Sequence, residues 1–105
     1  MKELFKRDVL IKLGLKPHIS GFDYTIEAIK LPSNTKKMTI YKEVAQKFDT
    51  TPSRVERCIR HCKDTKEDST LWTSYFEKSS KDMHVSEFLV YIQHIIDMES
   101  DRYGK

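Results

Sequence analysis

Apolar residues recur along the chain at helical intervals. Leu4, Val9, Ile11, Leu13 and Leu15 stand among charged neighbours, and Gly14 is placed to end a helix of about Glu3 to Leu13. Lys16-Pro17 interrupts the pattern, and Phe22, Ile26, Ile29 and Leu31 then form a second stripe that Pro32-Ser33-Asn34 halts. A third helix carries Ile40, Val44, Ala45 and Phe48, which face one core, with Thr39 as its cap. Asp49-Thr50-Thr51-Pro52 makes a short turn, with Thr51 as the cap and Pro52 in the first position of a fourth helix that runs to Lys63. Leu71, Trp72, Tyr75 and Phe76 predict a compact aromatic helix. Ser86-Glu87 opens a last one bearing Phe88, Leu89, Ile92, Ile95 and Ile96. No strand alternation competes, so the expected fold is all-α, a bundle of about six helices.

Composition narrows this picture. With 105 residues, three glycines, three prolines and no Ser/Gly-rich or Pro-rich stretch, residues 1–105 are expected to form one domain. The apolar runs are short and the start is neither basic nor continuously apolar, so the expected location is the cytoplasm and not a membrane. Cys58 and Cys62 lie on successive helical turns, too far apart for relaxed disulfide geometry, and read as reduced thiols. The net charge of +3 says little, but its distribution says more. Arg54, Arg57, Arg60 and Lys63 face a single acid, Glu56, whereas the stretch from Asp97 to Asp101 is acidic.

The third helix, the short turn and the fourth helix make a helix-turn-helix candidate, at about residues 39–63. Ala45 supplies a small residue where the two helices cross, with Val44 and Phe48 packing beside it. At about 100° per residue, Val55, Cys58, Ile59 and Cys62 form the inner stripe of the fourth helix. Ser53, Arg57, Arg60 and Asp64 point the opposite way, with Arg54 and His61 on one flank and Glu56 and Lys63 on the other. Arginines can fork onto guanine, Glu56 can accept from cytosine, and Thr51 and Ser53 sit where a helix N-terminus favours a phosphate. A charge run can equally be the solvated face of a structural helix. The conjunction of a capped turn, an alanine at the crossing and a cationic face with one acid favours double-stranded DNA, read in the major groove.

Other chemistry finds little support. His61 points about 80° or more away from the two cysteines, so no metal site is expected. His18, His84 and His94 have no recognisable nucleophile or acid arrangement, and His94 with Asp97 reads as an i, i+3 helix pair. Trp72, Tyr75 and Phe76 have the spacing of core residues rather than of a stacking platform. Glycine-rich phosphate loops, zinc spacings and nucleophile elbows are missing, so neither an enzyme nor a cofactor is expected. The alternative to a DNA reader is a protein-interaction module that modulates a full-length relative or another regulator, pairing through Leu89, Ile92, Ile95 and Ile96 of the last helix.

The run Thr50-Thr51-Pro52-Ser53-Arg54-Val55-Glu56-Arg57-Cys58-Ile59-Arg60-His61 resembles the recognition helix of the C-terminal effector domain of the sporulation initiation response regulator. Leu13-Gly14-Leu15, His18-Ile19-Ser20-Gly21-Phe22 and Glu27-Ala28-Ile29 resemble that family's opening helices. Ile40-Tyr41-Lys42-Glu43-Val44-Ala45 resembles its first motif helix, and Ser86-Glu87-Phe88-Leu89 its last. The resemblance implies a six-helix transcription factor that binds promoter DNA as paired copies on short tandem sites; a regulator seated on a promoter or operator is expected to block or recruit RNA polymerase. The resemblance also implies that Ser53, Arg54, Glu56, Arg57, Arg60 and His61 contact bases and phosphates. Thr51 and Lys63 complete the expected interface. Two departures stand out. A 105-residue chain leaves no room for the family's receiver domain, so phosphorylation control of that kind is expected to be absent. Lys63-Asp64-Thr65-Lys66-Glu67-Asp68 replaces a more apolar continuation and is expected to shorten the fourth helix.

Overall fold

The computed structural model describes residues 2–32 and 34–103, with side chains for 5–32 and 34–101. Six α-helices and one 3-10 turn follow in order: α1 (Lys2–Lys12), α2 (Ser20–Ala28), α3 (Lys37–Lys47), α4 (Pro52–Thr65), α5 (Thr70–Tyr75), the 3-10 turn Ser80–Asp82, and α6 (Val85–Tyr103). Among the described residues there is no strand. No helix among them is long and apolar enough to cross a membrane.

The end of α1 follows from one glycine. Gly14 has φ 104°, its N–H donates to the Ile11 carbonyl at 3.0 Å, and the Leu15 N–H donates to the Leu10 carbonyl at 3.1 Å. This is a Schellman closure, completed by burial of Leu10 and Leu15. Gly14 also meets a distant segment: a Cβ there would lie 1.9 Å from the Glu67 carbonyl oxygen. The chain leaving α4 can therefore lie directly on the α1 terminus.

α4 is the element around which the others assemble. Its inner residues Val55, Ile59 and Cys62 are fully buried, and α2, α3, α6 and the 3-10 turn all pack against it. The closest approach is to α2. A Cβ on Gly21 would stand 2.1 Å from the Cys58 carbonyl oxygen and 2.8 Å from the Cys62 Cβ, so the two backbones touch at this glycine. Behind α4, the buried face of α6 contributes Phe88, Leu89, Ile92, Ile95 and Ile96 to a core shared with Leu10, Leu13, Phe22, Ile26 and Trp72. The four residues on which the protein-interaction alternative rests are thus core residues. No partner can reach them without opening the fold.

Three helix boundaries differ from the sequence expectation. α2 stops at Ala28, before the stripe ends at Leu31, because the next turn tightens through bonds from Lys30 to Glu27 and from Leu31 to Ala28. Gln93 of α6 then donates its amide to the Ile29 and Leu31 carbonyls at 2.9 and 2.7 Å, satisfying groups that more helix would otherwise occupy. Of the expected stop Pro32-Ser33-Asn34, Ser33 lies outside the described residues. Thr39 is not the cap of α3: the helix begins at Lys37, and Lys36 takes the capping position in extended backbone without a side-chain bond. α4 continues past Lys63 to Thr65, whose hydroxyl donates to the His61 carbonyl at 2.9 Å.

The polar stretch after Cys62 is more buried than its composition suggests. Lys63 is only 4% exposed and Lys66 only 2%. The Lys66 ammonium lies 3.9 Å from the centroid of the Trp72 ring and donates to the Glu67 carbonyl and the Asp68 carboxylate at 3.2 and 3.3 Å. Burial lowers the pKa of this ammonium, and Asp68 acts against that shift. The Trp72 indole N–H donates to the Lys78 carbonyl at 2.9 Å, which completes a polar lid over the aromatic core.

Candidate nucleic-acid interface

Local chemistry sets the start of α4. The Thr51 hydroxyl accepts from the Arg54 N–H at 3.2 Å, and Pro52 occupies the first helical turn, where its missing N–H costs nothing. The turn before it is a second Schellman closure. Thr50 donates to the Ala45 carbonyl at 2.9 Å and Asp49 to the Gln46 carbonyl at 3.4 Å, with Asp49 at φ 54° where glycine is the usual choice. This closure turns the chain sharply enough to bring α4 back against α3. Phe48, expected inside, is 37% exposed because it caps α3 where the chain turns away, and its ring rests 4.9 Å from that of Tyr24.

With the inner stripe fixed by burial, the opposite face of α4 must meet solvent. Ser53, Arg54, Arg57, Arg60, His61 and Asp64 are exposed there, as is the Thr51 cap. Among the described residues neither Arg54 nor Arg57 has an ion-pair partner. Arg60 donates to the Glu56 carboxylate at 2.6 Å, an i, i+4 pair, and Glu56 itself is half-buried. Glu56 also lies near the buried Tyr41, whose hydroxyl is pushed up by burial first and by the Glu56 charge second, with Arg60 opposing.

Lys63 requires a correction. Expected on the exposed flank with Glu56, it is buried, with its ammonium donating to Asp64 at 2.6 Å. The 3-10 turn packs against α4, and the Ser80 hydroxyl donates to the Lys63 carbonyl at 3.2 Å. The exposed row therefore ends at His61 and Asp64, and Lys63 stands outside it.

Grooves flank the row on both sides. One of about 450 Å³ lies between α3 and α4, lined by Lys37, Met38, Tyr41, Pro52, Ser53, Glu56 and Arg60. On the other side, about 300 Å³ is bounded by Ile19, Ser20, Gly21, Arg57, Cys58 and His61. Lys37 and Met38 of α3 border the row, and a helix start at Thr39 leaves them in a loop. The doublet Lys36-Lys37 was the available signal.

Both cysteines are free thiols. Cys62 is raised to about 11 by burial, against a weaker pull from the Lys16 backbone. Among the described residues no three His, Cys, Asp or Glu side chains are grouped to hold a metal. His94 forms no ion pair with Asp97 among those residues; its ring stands edge-on to Tyr75 at 6.5 Å.

A model of the family described as sporulation initiation factor Spo0A C terminal matches residues 7–96. The chain belongs to this family. The match covers all of α2 through α5, the 3-10 turn and most of α1 and α6, so it includes every residue of the exposed row. The Spo0A C-terminal family comprises DNA-binding regulatory domains of sporulation initiation, the effector part of a response regulator, and not enzymes. The all-helical architecture of six helices is consistent with the helix-turn-helix domain of the Spo0A C-terminal family.

Proposed function

We propose that this chain binds double-stranded DNA sequence-specifically, with α4 in the major groove, and thereby regulates transcription linked to sporulation initiation. The observation that supports this most is the exposed row of α4, in which Arg54 and Arg57 have no ion-pair partner among the described residues while the opposite face of the helix is buried. A guanidinium held on a rigid helix with its donors unused suits bidentate recognition of guanine O6 and N7. Arg57, in mid-row, is assigned that role. Arg60 and Glu56 satisfy each other in the free protein and would exchange that bond for a guanine and a cytosine. Thr51 and Ser53 at the start of α4, with Arg54 and His61 on the flank, are assigned to phosphates, which set the register of the helix without reading sequence.

Residues 1–105 would act as one helix-turn-helix unit on a promoter or operator, in the cytoplasm and on the nucleoid. Pairing of copies on tandem sites and contact with RNA polymerase complete the reading. Its test is selection of bound duplexes from a random pool at physiological salt, with the wild type and with Arg57→Ala/Arg60→Ala. A motif enriched by the wild type and lost in the variant supports the reading, and the single Arg57→Ala change should cost roughly 1–3 kcal/mol at one base pair. Salt-sensitive binding with no motif would sink the sequence-specific part, and no binding would sink the whole.

A further inference from the structure

We infer that one strand of the bound duplex is seated in the groove between α3 and α4, where Lys37 holds a phosphate and Met38 packs against the neighbouring deoxyribose. This inference rests on the DNA reading above and extends the interface onto α3.

The groove shares its walls with the reading face, since Ser53, Glu56 and Arg60 line it on the α4 side. A second hollow of about 290 Å³ shares Lys37, Tyr41 and Glu56 with it and reaches His84 and Ser86 at the start of α6. A strand leaving the major groove beside α4 would meet these two neighbouring hollows.

The charge in the groove suits a polyanion. Lys36 and Lys37 are exposed, α3 has no acidic residue in its first turn, and among the described residues neither lysine has an ion-pair partner. Glu56, the acid on the wall, is paired with Arg60 at 2.6 Å in the free protein, and in the DNA reading above its carboxylate turns to a cytosine amine rather than to the strand in the groove. DNA wrapped on this face would release counterions from the phosphate nearest Lys37.

Met38 supplies the other half. It is 54% exposed, more than any other large apolar side chain described, and it lines the groove next to Lys37. A DNA strand alternates charged phosphates with less polar sugar faces. A cation followed by a flexible thioether chain matches that alternation. The first helix of a helix-turn-helix crosses the DNA backbone, and the N-terminal end of α3 borders the groove here.

The test uses the full chain and a duplex bearing the selected motif, with binding followed across a salt series for the wild type, Lys37→Ala, Met38→Ala and Arg57→Ala. Lys37→Ala should weaken binding to every duplex alike and reduce the slope of log K against log salt by about 0.9. Met38→Ala should weaken binding several-fold with the slope unchanged, and in hydroxyl-radical footprints it should uncover a sugar at the edge of the motif. Both positions are exposed, so unchanged melting curves are expected and serve as the folding control. If the Lys37→Ala slope or the Met38→Ala affinity equals that of the wild type while Arg57→Ala still loses the motif, the strand seat is overturned and the DNA reading stands. If the wild type binds no duplex, both fall.

Discussion

Replacing Gly21 by alanine tests how α4 is held. The new Cβ would lie 2.1 Å from the Cys58 carbonyl oxygen and 2.8 Å from the Cys62 Cβ. Carbon and carbonyl oxygen rest no closer than about 3.3 Å, so α2 and α4 must separate by about 1.2 Å. Neither obstacle is the free end of a flexible side chain: one is helix backbone and the other a Cβ in a fully buried residue. A gap of that size forfeits a quarter to a half of the dispersion energy along the contact, and overpacking of this kind typically costs about 1–3 kcal/mol. Against it stands the gain of up to about 1 kcal/mol for exchanging glycine with alanine in a helix interior, which is smaller here because Gly21 is the second residue of α2. The net expectation is a loss of about 1–3 kcal/mol, or a fall in Tm of roughly 4–8 °C per kcal/mol. Urea denaturation followed by circular dichroism at 222 nm would measure it, with an unchanged m-value showing that the native state is what changed. A Gly21→Ala protein as stable as the wild type would refute the claim that backbone contact sets the spacing of α2 and α4.

Three further outcomes follow from the same geometry. Asp49→Gly should stabilise the protein by about 0.5–1 kcal/mol in thermal melts, because φ 54° strains a residue with a Cβ and not glycine; no gain would mean that the Asp49 side chain offsets its own strain. Thr51→Ala removes the hydroxyl that accepts the Arg54 N–H and should cost about 1 kcal/mol, while leaving any selected DNA motif unchanged. Acid should weaken the fold through Glu27: burial pushes its carboxyl up, but hydrogen bonds from Lys30 and Lys47 outweigh that and hold it below the ordinary 4.5. Its contribution is complete above pH 4.5 and is lost as pH falls through the lower folded value, so the Tm gap between wild type and Glu27→Gln should close on acidification. A gap that persists unchanged to low pH would contradict this.

How much of the site could be read in the sequence depended on the range of each signal. The α4 start was legible because Thr51, Pro52 and Arg54 interact within one turn, and a capping hydroxyl needs nothing beyond its own segment. The same holds for Gly14, where positive φ and two short-range bonds end α1. Of the expected inner stripe Val55, Cys58, Ile59 and Cys62, all but the half-buried Cys58 are fully buried, because burial of α4 on one side imposes its period on the chain. The exposed row from Thr51 to His61 then follows as its complement.

Tertiary packing decided what periodicity cannot carry. Lys63 was assigned to solvent by its helical angle, yet the 3-10 turn seventeen residues later packs against α4 and bonds the Lys63 carbonyl through Ser80. Lys66 was one cation in a polar run until Trp72 supplied a ring for its ammonium. Gln93 shortened α2 from 62 and 64 residues away by taking the carbonyls of Leu31 and Ile29. Gly21 was simply a glycine in a helical stretch until Cys58 of α4 came to rest on it. In each case the deciding atom belongs to a segment distant in sequence, and its position exists only once the helices have packed. The sequence by itself determined which helices form, where α4 begins and which side of it is polar. Packing alone determined how close α2 stands to α4, which lysines are withdrawn from that polar side, and that Lys37 and Met38 border it.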